Sequence, residues 1–200
     1  MTGANQHDLH PQQGDALLIV DVQNDFLPGG RLAVAGGEKV VPVLNRYLVK
    51  FSMLNLPVYA TRDWHPAQHC SFSAQGGPWP QHCVAKTSGA AFAAALQLPP
   101  AAVIISKATK PEQDAYSGFQ GTNLNQKLHA ANIRRLFIGG LATDYCVLNT
   151  VHDALGLGYQ VLLLGDAIRA VDMQPGDGQR AEAEMSKLGA QRITVEEVAG

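Results

Sequence analysis

The stretch RLFIGGLATDYCVLNTVHDA, from Arg135 to Ala154, decides the fold of this chain. Its first part is an apolar run that ends in Gly139 and Gly140, which is typical of a buried strand. Its second part has apolar residues at helical spacing. A cysteine, Cys146, lies where this helix is predicted to begin. A strand that leads directly into a helix is the repeating unit of a parallel α/β sheet.

The same alternation of strands and helices continues on both sides of this stretch. Apolar runs predict six strands, over 15–21, 57–63, 101–107, 134–140, 159–166 and 191–195. Helical patterns lie between them, over 36–51, 91–98, 121–132, 143–158 and 177–190. Thr122 and Asn123 are candidate N-caps for the third helix. Most strands are continuous apolar runs, so we expect a parallel sheet covered on both faces, a Rossmann-like three-layer α/β/α sandwich.

Length, composition and charge restrict the class of protein. The chain has 200 residues, 46% of them hydrophobic and 16% charged, and its net charge is −2. This length suffices for one domain with a sizeable core, and the charge gives no bulk attraction to nucleic acid or to an anionic membrane. We recognise no secretory leader and no membrane-spanning run. We expect a disordered tail over 1–14 and a domain over 15–200.

The cysteine content bears on the cellular compartment. The chain has three cysteines, Cys70, Cys83 and Cys146. An odd and small number in a chain of this length argues against a disulfide framework. We therefore expect a cytoplasmic protein with reduced thiols.

Ionisable or reactive side chains follow one predicted strand after another. Asp21, Asp63 and Lys107 end the first three strands, Cys146 follows the fourth, and Asp166 ends the fifth. Ligands bind beyond the carboxyl ends of the strands in open parallel sheets. We interpret Asp166 as a cap of a loop or helix.

The other groups at this edge favour a reactive thiol. A lysine that ends a buried strand needs a charged partner, and Asp21 can supply it. A helix N-terminus, an ammonium and a carboxylate base can together generate a thiolate near neutral pH. The alternatives are a structural ion pair between Lys107 and Asp21 and an unreactive, buried Cys146.

The long irregular segment after the second strand carries another set of polar residues. Asp63 and His65 lie two positions apart at a strand end, and His82 follows near the end of the segment. One carboxylate and two imidazoles leave open positions for water or substrate, as a catalytic metal site requires. The alternatives are ordinary surface histidines, or a closed structural zinc site formed by His69-Cys70 and His82-Cys83.

Seven motifs resemble those of a known family. They are IVDVQNDF, TRDWHP with HCSF, GGPWPQHCV, ISKAT, AYSGFQGT, GLATDYCV and GDAIRAV, and they span about residues 16 to 172. In combination and in this order they are similar to the motifs of nicotinamidases, in the isochorismatase-like cysteine hydrolase superfamily. The resemblance implies that residues 15–200 form an isochorismatase-like hydrolase domain with a six-stranded parallel sheet between helices.

The resemblance also implies a role for individual residues. A catalytic triad is implied at Asp21, Lys107 and Cys146, and metal ligands at Asp63, His65 and His82. A cis peptide is implied between Leu141 and Ala142, which gives an oxyanion hole from the N–H groups of Ala142 and Cys146. Walls for a pyridine ring are implied at Phe26 and Trp79, with rim residues at Tyr116 and Tyr145. A further metal ligand, either His69 or Ser71, is left open.

The activity implied by the resemblance is that of a metal-dependent cysteine amidohydrolase. It would convert nicotinamide to nicotinate and ammonia through a thioester, in NAD salvage, and would accept the near-isostere pyrazinamide. The implied cofactor is one divalent metal ion, zinc, with iron or manganese as alternatives. The partner is a small-molecule substrate, and self-association into a homo-oligomer is compatible with this type of enzyme.

Two rival functions remain open at this point. The first is an isochorismatase or another amidase of the same superfamily. Vinyl-ether-cleaving members do not need the thiol and lack the metal triad, so Cys146 with Asp63, His65 and His82 argues against them. The second is a non-catalytic metal- or thiol-binding module.

Overall fold

The computed structural model of the chain describes residues 9–198, which form a six-stranded sheet. The strands are β1 Asp15–Val20, β2 Val58–Asp63, β3 Val103–Lys107, β4 Arg135–Leu141, β5 Gln160–Arg169 and β6 Gln191–Ile193. They lie in the order β3-β2-β1-β4-β5-β6, and all neighbouring strands are parallel. The predicted parallel α/β sheet is confirmed.

Helices cover both faces of this sheet. They are α1 Val40–Met53, α2 Leu124–Ala130, α3 Leu148–Gly156 and α4 Asp177–Leu188. Leu17 and Ile19 of β1 share one core cluster with α1, while Leu18 and Val20 share another with α2, α3 and α4. Every residue of β1 is buried. The strand therefore reads as a continuous apolar run because both of its faces are covered, and the three-layer sandwich is confirmed.

The predicted helix over 91–98 is wrong. Phe92 instead forms an antiparallel bridge with Gln23, and the N–H of Ala93 donates to the carbonyl of Val22 at 3.0 Å. A short alanine-rich segment has only a marginal helical preference of its own in water. Pairing with the segment after β1 therefore overrides that preference.

Two other elements differ from the prediction in detail. The fifth strand continues beyond Asp166, which is not a helix cap: its carboxylate accepts from the Tyr47 hydroxyl at 3.1 Å and from the Val195 N–H at 2.8 Å. The predicted helix over 143–158 begins with a π-helical turn, Thr143–Val147, which precedes α3. At α2, the Thr122 hydroxyl accepts from the Leu124 N–H at 3.2 Å, whereas Asn123 makes no side-chain cap.

The predicted tail lies partly outside the described residues, which begin at residue 9. Its last residues contact the domain: the N–H of Gln12 donates to Asp15 at 2.8 Å, and Arg135 donates to the carbonyl of His10 at 2.9 Å. The domain boundary at Asp15 stays a prediction. Between residues 9 and 198, the helices are too short or too polar to cross a bilayer.

The close approach of β4 to β1 depends on Gly140. Its φ is +129°, and a Cβ at this position would collide with the backbone oxygen and nitrogen of Val20. The two strands pair in register from Asp15 and Arg135 up to Val20 and Gly140. Glycine is required here because both the dihedral angle and the contact exclude a side chain.

Candidate active site

Strand ends and one turn bring Asp21, Lys107 and Cys146 together. Asp21 follows β1, Lys107 ends β3, and Cys146 lies in the turn between β4 and α3. The Lys107 Nζ lies 3.0 Å from Asp21 Oδ2 and 3.4 Å from Cys146 Sγ. All three side chains are buried. The residues of the expected triad therefore form one cluster at the carboxyl edge of the sheet.

The Asp21 carboxylate is oriented from β2 and retains affinity for a proton. The Thr61 hydroxyl donates to Asp21 Oδ1 at 2.7 Å. Burial raises the pKa of Asp21, and the attraction of Lys107 offsets this only in part, so the pKa lies above its ordinary value. A carboxylate of this kind is suited to accept a proton from a neighbouring group.

The surroundings of Cys146 favour the thiol over the thiolate. Burial raises its pKa well above the ordinary value; Lys107 lowers it, but the Asp21 carboxylate raises it further, also by accepting a hydrogen bond from the thiol. Burial alone would lower the pKa of Lys107, yet Asp21 and Asp63 hold it well above its usual range. The generation of a thiolate near neutral pH stays a prediction, and the raised pKa of the thiol favours transfer of its proton to Asp21 as the sulfur reacts.

Asp63, His65 and His82 form a second cluster whose ligand atoms all lie within 4.8 Å of one another. The Nδ1 atom of His65 lies 3.3 Å from the Ala108 carbonyl, and that of His82 lies 2.7 Å from the Pro80 carbonyl. A carbonyl only accepts, so each Nδ1 carries the proton and each Nε2 is the remaining ligand atom.

The donor set fits a divalent metal ion. Within the described residues, the buried Nε2 of His65 has no hydrogen-bond partner, and it lies 3.6 Å from Asp63 Oδ2. Leaving a buried polar atom unpaired is costly unless a ligand satisfies it. Burial lowers the pKa of His82, which favours the neutral imidazole that metals bind.

Asp63 connects the two clusters. Lys107 Nζ donates to its Oδ1, while Oδ2 faces His65. Burial would raise the pKa of this carboxyl, but Lys107 and His65 together hold it well below its usual range. Gln23 fixes the Asp63 backbone, accepting from its N–H at 2.7 Å and donating to its carbonyl at 2.8 Å. We did not predict Gln23 or Thr61, because their contacts lie 40 positions away in the sequence.

The structure pairs the two candidates for a further metal ligand, His69 and Ser71, with each other. Both ring nitrogens of His69 have partners, the Ser71 hydroxyl at 2.7 Å and the Gln113 carbonyl at 3.2 Å. His69 therefore packs against His65, with ring centroids 4.2 Å apart, rather than offering a nitrogen to an ion. Among residues 9–198, the groups able to hold an ion contain neither Cys70 nor Cys83, so the closed zinc site is not formed.

A cavity, partly open to solvent, joins the thiol to the metal-ligand cluster. The aromatic residues implied by the resemblance all line it: Phe26, Trp79, Tyr116 and Tyr145. The Trp79 indole N–H donates to the Tyr116 hydroxyl at 2.9 Å, and the Trp79 and Tyr145 rings meet edge to face at 5.0 Å. Ser71, a candidate for the further metal ligand, also lines the cavity, and the lining residues that we did not predict are Leu32, Val34, Asp114, Ala115 and Val171.

The turn that carries Cys146 lies beside this cavity. The peptide bond between Leu141 and Ala142 is cis, as the resemblance implied. The Ala142 carbonyl accepts from the N–H groups of Tyr145 and Val147 at 3.1 and 3.0 Å. Ala142 and Cys146 both line the cavity, so a ligand there meets the thiol and the adjacent backbone together.

A buried thiol beside a carboxylate and an ammonium, next to a His₂Asp set, can perform nucleophilic chemistry on a bound carbonyl compound. This site on a parallel α/β sandwich agrees with the family comparison. The chain belongs to the isochorismatase family, whose Isochorismatase domain matches residues 15–197.

Within this family the chain is similar to nicotinamidases and pyrazinamidases. It is 41% identical to the nicotinamidase of Escherichia coli (strain K12), over 90% of this chain and 94% of that protein. The pyrazinamidase of Pyrococcus horikoshii, solved in complex with zinc, matches with a TM-score of 0.87 and 48% identity over 90% of this chain and 99% of its own. PnC1 from L. infantum, solved in complex with nicotinate, matches with a TM-score of 0.87 and 36% identity over 94% of this chain and 96% of its own.

Proposed function

We propose that this chain hydrolyses nicotinamide to nicotinate and ammonia, in NAD salvage, and that pyrazinamide is a second substrate. The observation that carries the proposal is the cavity that places Cys146 and the Asp63, His65 and His82 cluster around one aromatic slot. A pyridine carboxamide matches these three parts of the site. Its flat ring fits the aromatic slot, its ring nitrogen fits the metal-ligand cluster, and its amide carbon fits the position beside Cys146. The similarity to the Escherichia coli nicotinamidase supports this substrate class.

Asp63, His65 and His82 would hold a divalent metal ion. We propose zinc, as in the Pyrococcus horikoshii structure, with iron or manganese as alternatives. When bound, the ion supplies a Lewis-acidic position for the pyridine nitrogen and so fixes the orientation of the ring. The aromatic side chains of Phe26 and Trp79 would enclose the two ring faces, and the hydroxyl-bearing rings of Tyr116 and Tyr145 would form the rim.

The first chemical step transfers a proton and forms a carbon–sulfur bond. Asp21 takes the proton of the Cys146 thiol while the sulfur attacks the carboxamide carbon, and the π electrons of the carbonyl move to its oxygen. The N–H groups of Ala142 and Cys146 would donate to this oxyanion, and one such donor contributes about 3 kcal/mol to the transition state. Lys107 keeps its positive charge beside the new negative charge.

The second step releases ammonia and the third regenerates the thiol. As the carbonyl re-forms, the carbon–nitrogen bond breaks and Asp21 gives its proton to the departing nitrogen, which leaves a thioester on Cys146. Asp21, again a carboxylate, then accepts a proton from a water molecule that attacks the thioester. The carbon–sulfur bond breaks, the sulfur recovers the proton through Asp21, and nicotinate is released.

The environment of the enzyme is part of the same proposal. Cys70, Cys83 and Cys146 are free thiols, which supports a reducing compartment such as the cytoplasm. Self-association into a homo-oligomer would be measured by light scattering on the purified protein.

Ammonia release from nicotinamide by the purified, metal-replete protein tests the proposal. We expect turnover that a strong chelator suppresses and that added metal restores. Turnover unaffected by complete removal of metal would contradict the metal dependence. Absence of turnover with a confirmed metal content would contradict the nicotinamidase proposal, and a panel of other amides would then separate a different amidase from a non-catalytic binding module.

A further inference from the structure

We propose that Asp144 is a positioning residue that fixes the width of the substrate cavity; this inference rests on the proposed amidase function. Asp144 lies in the Thr143–Val147 turn, two residues before Cys146. Its carboxylate accepts hydrogen bonds from the segment that follows β5. Oδ1 accepts from the N–H of Val171 and Oδ2 accepts from the N–H of Asp172, both at 2.9 Å.

These bonds attach a wall of the cavity to the turn that carries Cys146. Val171 lines the same cavity as Cys146 and packs against the core cluster that contains Phe26 and Val34. Hydrogen bonds from backbone N–H groups to an ionised carboxylate are stronger than those between neutral groups. One side chain therefore holds the Val171 wall at a set distance from the reacting sulfur.

The position of the segment that carries Val171 depends on the Asp144 carboxylate more than the conformation of the Thr143–Val147 turn does. The turn has its own backbone bonds, because Tyr145 and Val147 both donate to the Ala142 carbonyl. Beyond Val171, the next carboxylate bonds lead away from the cavity: Asp172 accepts from the Gly178 N–H at 2.8 Å, and Asp177 accepts from the Gln174 N–H at 2.8 Å. Loss of the Asp144 carboxylate would therefore release the wall and leave the nucleophile in place.

Movement of the Val171 wall should change substrate binding more than the rate of the chemical step. A narrow slot holds a single flat ring through contacts on both faces, and these contacts weaken when one wall moves outward. The same movement admits a wider ring that the intact wall excludes. The expected signature is a higher KM for nicotinamide with little change in kcat, together with a gain in relative activity on a larger aromatic amide.

The experiment compares Asp144→Ala, Asp144→Asn and the control Asp177→Ala on nicotinamide and on the bicyclic quinoline-3-carboxamide. For Asp144→Ala we expect KM for nicotinamide to rise about tenfold, kcat to stay within about threefold, and relative kcat/KM for the bicyclic amide to increase. Asp144→Asn keeps one acceptor oxygen, so its KM for nicotinamide should lie between those of the wild type and Asp144→Ala. Asp177→Ala removes a carboxylate bond from the same segment, away from the cavity, and should behave like the wild type.

Amide hydrogen exchange of the same variants separates this inference from the proposed function. The N–H groups of Val171 and Asp172 should lose protection in Asp144→Ala, whether or not nicotinamide is the substrate. A wild-type protein without turnover would contradict the proposed function only. An unchanged KM and unchanged exchange in Asp144→Ala, or an equal rise in KM in Asp177→Ala, would overturn the role of Asp144. Should Asp144→Ala fail to fold, Asp144→Asn provides the same comparison.

Discussion

The two ends of β1 carry buried ion pairs of different kinds. At the amino end, Asp15 pairs with Arg135, whose Nε donates to Oδ1 at 2.9 Å while Nη2 donates to Oδ2. The pair is bidentate. Arg135 also donates to the His10 carbonyl, so its donors are used by fixed partners. This pair is suited to hold β1 and β4 in register.

At the carboxyl end, one cation serves more than one acid. The Lys107 ammonium contacts the carboxylates of Asp21 and Asp63 and the Cys146 sulfur. Burial is the main cause of the raised pKa of Asp21, and the neighbouring Asp63 carboxylate raises it further, while Lys107 offsets the two only in part. A bidentate pair of this kind serves stability, whereas a cation shared between carboxylates and a thiol retains the proton affinity and free ligand atoms that chemistry needs.

Removal of the sulfur should have the largest effect. In Cys146→Ala we expect ammonia release to fall by about 10⁴-fold or more, because no covalent intermediate can form. Metal content and nicotinamide binding, measured by calorimetry, should be retained because the metal-ligand cluster and the aromatic slot are unchanged. Residual activity near that of the wild type would rule out the covalent route.

Matched carboxylate variants test the comparison directly. Asp21→Asn should lower turnover by about 10³-fold, since the base is lost, with little loss of stability. Asp15→Asn should lower the free energy of unfolding by about 3 kcal/mol, because the Arg135 charge loses its buried partner, and should leave kcat unchanged. Urea unfolding and steady-state kinetics on both variants decide the matter. A large loss of stability in Asp21→Asn together with a large loss of turnover in Asp15→Asn would contradict the distinction between the two ends of β1.

Removal of a metal ligand should have a smaller effect on the reaction than removal of the base. In His82→Ala we expect loss of bound metal and a rise in KM for nicotinamide of about 100-fold, as for a weakened metal site. His152→Ala is the control, because this histidine is exposed on α3. Metal content measured by mass spectrometry should fall in the first variant only. An unchanged metal content in His82→Ala would contradict the ligand assignment.

The pH dependence should show the smallest effect, about tenfold for each pH unit on the acid side. Because burial raises the pKa of Asp21, the carboxylate takes up a proton at a higher pH than an ordinary aspartate does and can then no longer accept one from Cys146. The folded state binds this proton more tightly than the unfolded chain, so the same group adds stability at low pH that is lost as pH rises through the folded pKa. A flat profile of kcat/KM at constant metal content would contradict Asp21 as the base.

Much of the fold and of the candidate site could be predicted from the sequence because charged residues mark the carboxyl ends of the apolar strands. Buried parallel strands leave apolar runs, and Asp21, Asp63 and Lys107 stand directly after or at the end of such runs. Gln23 and the bond between Asp144 and Val171 leave no local pattern, since their partners are distant in sequence. The raised pKa of the Cys146 thiol also leaves no local pattern, because it depends on burial, which spacing does not give.

Gly140 has a consequence for the transfer of the proton. Without a β-carbon at this position, β4 lies against the backbone of Val20, and the residues that follow the two strands are Asp21 and the turn of Cys146. Proton transfer needs donor and acceptor within hydrogen-bond reach. An alanine at 140 would force the two strands apart, because its β-carbon would collide with the backbone of Val20. The gap between acid and base is therefore set by the main chain, at a position that tolerates no conservative replacement.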